Sequence, residues 1–414
     1  MDPNPSSLRI GVVDQTVSGG WVAAAIYSRM TLRSLEAACN THGPQLYFLT
    51  DQVNGERFRG SRATPMQVAS ADYLPAERQL RKLLGLRDKS SALRGEPRLR
   101  KLLGLSAKSD IFGIAREHKI DVLLPLLDIP PWKVGTATIG WIPDFQHCHV
   151  PQFFTQNDLQ KRNATVRRLA EQATIVMLSS NAARDDFAAS APAHINKARV
   201  VSFPSLLAFE ELADDPASTR IKFNLPEKFA MVANQFWAHK NHALVVSALA
   251  ELRKRGVEVP VVMTGTPSDY RDPSNKNLST LLQVIATAGL QRQVVILGLV
   301  PYADLVNLMR TAALIIQPSR FEGWSTVVQD AVALGRPLIC SNIPVHREQV
   351  PGALGFFGCD EPKALADLIA NHWDNLPPGP DRETENRSLV SEREFSLRHG
   401  RTLIAVCAEA AASH

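Results

Sequence analysis

The chain has 414 residues, of which 45% are hydrophobic and 21% charged, and its formal net charge is +5. A single hydrophobic core seldom organises a chain of this length, so the sequence predicts two domains. The mild positive charge lacks the dense basic blocks of nucleic-acid-binding proteins, and we expect no nucleic-acid partner. The five cysteines form no C-x-x-C pair, which argues against a disulfide framework and against a zinc site.

The amino-terminal segment MDPNPSSLRIGVVD has no basic region followed by an apolar core. No uninterrupted apolar stretch approaches the length of about 18 residues that spans a membrane, so we expect a cytoplasmic protein. The motif LRKLLGL occurs at 80–86 and 99–105, and each copy places leucines on one helix face beside basic residues. Two interpretations stay open: surface helices that cover the sheet, or peripheral contact of 78–108 with anionic lipid at the inner membrane face.

Short apolar runs alternate with longer amphipathic runs along most of the chain, which is typical of βαβ units and predicts the α/β class. The polar stretch FEELADDPASTRIKFNLPE separates two such series, so we place a domain boundary near residue 215. The predicted units are an N-terminal domain (1–215), a C-terminal domain (216–383) and a C-terminal helix (384–414). The predicted strands are 8–14, 44–50, 121–129, 136–143 and 174–180 in the first series, and 228–234, 260–266, 293–300, 312–319 and 336–342 in the second.

Two segments of the first series carry candidate site residues. Gly19 and Gly20 follow a predicted strand and open a helix, where backbone N–H groups suit a phosphate, although a tight structural turn explains them equally well. The segment WIPDFQHCHV (141–150) places Asp144 and His147 just beyond a strand, where parallel sheets collect ligand groups. A catalytic or sugar-binding role and ordinary loop hydrogen bonds are both compatible with that position.

The second series holds the stronger candidates. Lys240 lies between a strand that ends at Asn234 and the start of a helix, which favours phosphate binding. Glu322 lies in the turn RFEGWST, and Asp330 lies two turns into the helix that starts near Ser325. One interpretation places a diphosphate at the first-turn amides and a ribose diol at Asp330. The other takes Glu322 as a turn residue and Asp330 as a solvated helix position.

The second series resembles the retaining nucleotide-sugar glycosyltransferases of the GT-B fold, family GT4. The resemblance runs over about 228–350 and rests on VANQFWAHKN, VMTGT, ILGLVPYADLVNLM and PSRFEGWSTVVQDAVALGRPLICSNIPVHRE. Asp330 stands where the family has a second glutamate, and Ser325 stands where it usually has glycine. The first series is similar only through Gly19-Gly20 and WIPDFQH.

The resemblance implies two Rossmann-like domains that face each other across a cleft, with the terminal helix returning to the first domain. It implies that Lys240 neutralises the donor phosphates, that Glu322 contacts the transferred sugar, and that His147 or Asp144 provides a further sugar contact. Amides near Ser325 would bind the distal phosphate. The implied donor site comprises Gly19, Gly20, Asn234, Lys240, Thr264, Gly265, Leu299, Val300, Glu322, Gly323, Ser325, Thr326 and Asp330.

The resulting expectation is a metal-independent, retaining glycosyltransferase without a cofactor. Its co-substrate would be a nucleoside diphosphate sugar, and its acceptor a glycan or lipid-linked glycan, in bacterial surface polysaccharide synthesis. A nucleotide-sugar epimerase of the same fold and a non-catalytic nucleotide-sugar or glycan-binding subunit are the alternatives. Release of free nucleotide only when an acceptor is present would distinguish a transferase from both.

Overall fold

A computed structural model gives the fold of the chain. It describes residues 7–15, 22–39, 43–50, 61–68, 111–130, 134–212, 215–269, 271–272 and 274–414. Gly19, Gly20 and both LRKLLGL segments lie outside the described residues, so their proposed phosphate and membrane contacts stay predictions. No helix of the described part is long and apolar enough to cross a membrane.

The first half of the chain forms a parallel sheet of seven strands in the described residues, in the order β3-β2-β1-β4-β5-β6-β7. Both faces of this sheet are covered, so its central strands are almost entirely buried and read as unbroken apolar runs. The strands are β1 Arg9–Val13, β2 Gln45–Thr50, β3 Thr64–Gln67, β4 Val122–Leu126, β5 Ala137–Ile142, β6 Ile175–Leu178 and β7 Ala198–Val200. The α-helices are α1 Val22–Ala38, α2 Ile111–Glu117, α3 Gln146–His149, α4 Gln156–Gln172 and α5 Asn181–Ser190.

The second half forms a parallel sheet of six strands in the described residues, in the order β10-β9-β8-β11-β12-β13. Its strands are β8 Ala230–Ala233, β9 Val261–Thr264, β10 Val294–Gly298, β11 Leu314–Gln317, β12 Leu338–Ser341 and β13 Gly355–Phe357. Its α-helices are α6 Ala217–Lys222, α7 His242–Lys254, α8 Lys276–Thr287, α9 Tyr302–Thr311, α10 Thr326–Ala333, α11 Pro344–Gln349 and α12 Pro362–Trp373.

The two halves touch through loops near the ends of their strands. The Glu348 carboxylate accepts hydrogen bonds from the backbone N–H and side-chain amide of Asn181, at distances of 2.9–3.0 Å. It therefore caps the start of α5 in the other half, where the helix dipole favours a negative charge. The His149 ring stacks on Phe321 with a centroid separation of 5.0 Å. Loops of both halves thus line one shared cleft.

The last helix, α13 Arg382–Ala412, contacts both halves. Near its start, Glu385 forms a buried two-bond ion pair with Arg310 of α9, with Nη2 of Arg310 2.9 Å from Oε2. Further along, apolar residues of the helix join the core of the first half, among them Leu403 and Cys407. Gly400 lies so close to α1 that a Cβ there would collide with the backbone oxygen of Ser34.

Substituting alanine for Gly400 should destabilise the fold even though alanine is the better helix former. The added methyl must push α13 away from α1 at a fully packed contact, which typically costs about 1–3 kcal/mol. We expect a lower midpoint in urea unfolding followed by circular dichroism. Gly352→Ala is the matched control, because a Cβ at Gly352 meets nothing. Equal midpoints for Gly400→Ala and wild type would show that the helices are not in this close contact.

Candidate functional site

A largely buried ion pair lies at the point where the strand order of the second sheet reverses. The chain adds β9 and β10 on one side of β8 and then places β11 on its other side, so ligands are expected beyond β8 and β11. Lys240 follows β8, and Glu322 follows β11. The Lys240 Nζ lies 2.6 Å from the Glu322 Oε1, and their side chains are 11% and 10% exposed. The resemblance predicted these two residues at one site, and the structure brings them together.

Gln317, the last residue of β11, donates a hydrogen bond to the Glu322 carboxylate. Its Nε2 lies 2.9 Å from Glu322 Oε1, 3.0 Å from Ser325 Oγ and 3.2 Å from Ser319 Oγ. Its Oε1 accepts a hydrogen bond of 2.7 Å from the Asn234 side chain. Sequence reasoning missed Gln317, although a polar residue that ends the apolar strand LIIQ was the available signal. The side chain fixes one oxygen of Glu322 and links β8 to β11.

The start of α10 lies beside this pair. Ser325 is the N-cap, and its Oγ accepts a hydrogen bond from the Val328 N–H. The side-chain amide of Gln349 donates to the Ser325 carbonyl at 2.8 Å, and its oxygen accepts from the Ser325 N–H at 3.1 Å. A phosphate could use the Ser325 N–H only by replacing the bond to Gln349. The phosphate contacts expected of the Ser325 and Thr326 amides stay predictions.

Asp330 lies near the end of α10, and its side chain faces the first half of the chain. Its Oδ1 accepts a hydrogen bond of 2.5 Å from the Ser205 hydroxyl. Protein surrounds the carboxyl on most sides although the residue keeps part of its surface accessible. This burial raises the pKa of Asp330 to about 7, the Ser205 hydrogen bond opposes the rise, and the Glu210 charge adds to it. Asp330 is therefore not an ordinary solvated helix position.

Across the cleft, Asp144 meets the Glu322 loop. A Cβ on Gly323 would collide with the Pro143 carbonyl and lie 3.0 Å from the Asp144 Cβ, so only glycine permits this approach. The Asp144 Oδ1 accepts hydrogen bonds from the Gln146 N–H at 2.9 Å and from Arg162 at 3.1 Å. The carboxylate is thus oriented at the cleft wall next to Glu322.

His147 is buried, with 4% of its surface exposed. Its Nε2 lies 3.1 Å from the Asn163 side-chain oxygen, and among the described residues its Nδ1 has no hydrogen-bond partner. Burial lowers the pKa of His147, and the Arg162 charge lowers it further, so the ring is neutral at pH 7. Of the two predicted sugar-contacting residues, Asp144 is the more accessible and lies closer to the Glu322 loop.

The other predicted donor residues lie at the ends of neighbouring strands. Asn234 directly follows β8, Thr264 ends β9, and the N–H of Gly265 donates to the Gly298 carbonyl at 2.8 Å. Leu299 and Val300 follow β10, and Leu299 is 78% exposed, an unusual state for a large apolar side chain. These residues extend the edge that carries Lys240, away from Glu322.

Sequence reasoning also missed Arg271, which closes one side of the cleft. Its guanidinium lies between the rings of Phe154 and Trp237, 5.4 Å and 5.0 Å from their centroids. It also donates to the Gln146 side chain of the first half at 3.2 Å. The residue lies in a polar, proline-containing stretch without periodicity, so no sequence pattern indicates this contact.

Part of the chain is similar to a known protein family and to a curated protein. Residues 215–376 match the family model described as Glycosyl transferases group 1. Alpha-D-kanosaminyltransferase from Streptomyces kanamyceticus is 22% identical over 239 residues, which cover 56% of this chain and 59% of that protein. The matched region therefore spans less than two thirds of that relative.

Solved structures match over nearly the whole chain. A glycosyltransferase from Rickettsia africae has a TM-score of 0.63 at 14% identity, covering 97% of this chain and 98% of its own. Anabaena Alr3699/HepE in complex with UDP has a TM-score of 0.61 at 16% identity, covering 98% and 100%. Sucrose-phosphate synthase from Thermosynechococcus elongatus has a TM-score of 0.60 at 15% identity, covering 97% and 96%. The predicted arrangement of two Rossmann-like halves is confirmed.

Proposed function

Since residues 215–376 match the group 1 glycosyltransferase model and the whole chain matches solved structures of the GT-B fold, we propose that the protein is a glycosyltransferase. It transfers a sugar from a nucleoside diphosphate sugar to a glycan or lipid-linked glycan, with retention of anomeric configuration, as in family GT4. The observation that carries this proposal is the Lys240–Glu322 pair at the switch point of the second sheet. We further propose a role in bacterial surface polysaccharide synthesis.

Lys240 binds the donor diphosphate in this proposal. Its ammonium is paired with one carboxylate oxygen in the free protein, and a diphosphate offers more negative charge at the same place. The start of α10 adds amides that favour an anion. As the bond between the anomeric carbon and the phosphate oxygen breaks, negative charge grows on the diphosphate, and Lys240 stabilises it. The site needs no metal ion for this step.

Glu322 contacts the transferred sugar when the phosphate takes Lys240. Gln317 still holds one carboxylate oxygen, so the side chain keeps its direction while its charge becomes available. A new bond forms between the anomeric carbon and the acceptor oxygen, and the acceptor proton passes to the departing diphosphate. Asp144 lies across the cleft from Glu322, in a position to accept a hydrogen bond from a sugar hydroxyl.

The nucleoside lies along α10 and the end of β10. Asp330 accepts hydrogen bonds from the ribose diol, and its partial accessibility and its distance of about one and a half helical turns from Ser325 support this role. The backbone near Leu299 and Val300 contacts the base, and the exposed Leu299 covers one side of it. Two Anabaena Alr3699/HepE structures contain UDP and UDP-glucose, which makes UDP the first probe to use.

The transfer proposal is tested by nucleotide release from a panel of UDP-sugars, with and without oligosaccharide or lipid-linked acceptors. Wild type should release UDP only when an acceptor is present. Lys240→Ala should reduce kcat about 10²- to 10³-fold, the usual effect of removing one group that stabilises developing charge. Lys254→Ala is the matched control, because Lys254 is exposed and, among the described residues, forms an ion pair with Glu251 of its own helix alone. Full activity in a folded Lys240→Ala protein would refute the phosphate assignment.

The ribose assignment predicts that Asp330→Ala weakens UDP binding. At pH 9, where the Asp330 carboxyl is ionised, loss of charge-assisted hydrogen bonds should cost about 1.5–3 kcal/mol, or about 10- to 150-fold in Kd measured by calorimetry. Asp330→Glu, which restores the family residue, should be milder. Ser205→Ala separates this role from a structural one, because it removes the Ser205 bond and leaves the carboxylate. If Ser205→Ala weakens UDP binding as much as Asp330→Ala does, the carboxylate is structural and does not bind ribose.

A further inference from the structure

A second cavity lies beside the donor cleft. It is a trough of about 670 Å³ between α10 and the terminal helix α13. Lys240, Glu322 and Asp330 are not among its lining residues, so the trough is distinct from the proposed donor site. None of the roles assigned above uses it.

One face of α13 forms a wall of this trough. Arg387, Ser391, Phe395 and Arg398 line it at intervals of three or four residues, which places them on one side of the helix. The two arginines are about 16 Å apart along the axis, at 1.5 Å per residue. Cationic groups thus lie toward both ends of the trough, with a hydroxyl and an aromatic ring between them.

Arg387 donates one hydrogen bond of 3.1 Å to the Thr384 hydroxyl, and the Arg398 guanidinium lies 5.8 Å from the centroid of the Phe395 ring, so each keeps further N–H donors for a ligand. Within the described part of the chain neither forms an ion pair, and both are exposed. By contrast, Glu409 pairs with Arg199, and Glu385 pairs with Arg310. A guanidinium binds phosphate or carboxylate through two parallel hydrogen bonds. The Trp324 indole of the opposite wall offers a flat surface for a sugar ring.

A carboxylate also lines the trough, but it is already bonded. The Glu392 oxygens accept hydrogen bonds from the Gln329 side chain at 2.9 Å and 3.0 Å, and one of them also accepts from the Ser205 N–H. Burial raises the pKa of Glu392 to about 7, so its negative charge is only partly present at neutral pH. Its repulsion of an anion is correspondingly reduced.

The trough touches the groups that hold α10 in place. Gln349 lines it, and the same side chain makes the two bonds to Ser325 at the start of that helix. Gln329 also lines it and immediately precedes Asp330. We propose that the trough binds an anionic saccharide, with a phosphate or carboxylate group at Arg387 or Arg398, and that its occupancy changes donor affinity through α10. The second part rests on the proposed donor site.

The test uses calorimetry of the full chain with glucose 6-phosphate, inorganic phosphate and glucose. Measurements in the Lys240→Ala background weaken anion binding in the donor cleft and isolate the trough. We expect saturable binding of glucose 6-phosphate, weaker binding of phosphate and none of glucose. Arg387→Ala or Arg398→Ala should weaken glucose 6-phosphate binding about tenfold or more. Arg393→Ala, on the opposite side of the same helix, is the control and should change it less than about twofold.

Absence of saturable binding of both anions in the Lys240→Ala background would overturn the proposed site, as would equal losses in Arg393→Ala and Arg398→Ala. Coupling is read from the Kd of UDP in wild type with and without glucose 6-phosphate. A coupled site should shift it about fivefold or more, with the reciprocal shift for glucose 6-phosphate. An unchanged Kd of UDP would refute the coupling. Binding in the trough is measured without turnover, so its failure is separate from a failure of the transfer proposal.

Discussion

The arrangement of the site depends on one buried ion pair that is held in a fixed direction. Taking Lys240 and Glu322 largely out of water is costly, and such a pair is tolerated when hydrogen bonds satisfy its remaining groups. Gln317 provides one of these bonds and draws its own orientation from Asn234. The parallel order of β8 and β11 brings together residues that are 82 positions apart in the chain. A cation and a carboxylate are therefore held side by side at the switch point of the second sheet.

The remainder of the molecule positions this pair against the first half. The Glu322 loop approaches Pro143 because Gly323 has no side chain, and this contact brings Asp144 into the cleft. The terminal helix α13 joins the halves again, through the Arg310–Glu385 pair on one side and the Gly400 contact on the other. The assembly of the cleft thus depends on two close backbone approaches, at Gly323 and Gly400, and on two ion pairs, Lys240–Glu322 and Arg310–Glu385.

The α/β class and most strands could be predicted from the sequence, because buried parallel strands read as apolar runs between amphipathic helices. The proximity of Glu322 and Lys240 could be predicted because the resemblance covers the segments that contain them. The role of Arg271 could not be predicted, since its aromatic partners lie far away in the chain, and the orientation of Gln317 could not, since it depends on Asn234, 83 positions earlier. The hydrogen bond of the Ser325 N–H could not be predicted for the same reason, because its acceptor is a side chain 24 positions later. The burial of His147 depends on α4, which no local pattern at residue 147 reveals.

In the proposed site, Glu322 pairs with Lys240 only until a diphosphate replaces it. The decisive measurement of this exchange is the Kd for UDP binding to the Glu322→Gln variant. The amide keeps the shape of the side chain and an oxygen for Gln317 but removes the charge that competes for Lys240. We predict that UDP binds to Glu322→Gln as tightly as to wild type or more tightly, while sugar transfer is lost. A tenfold weaker UDP affinity in a folded Glu322→Gln protein would contradict it, because the carboxylate would then itself bind the nucleotide.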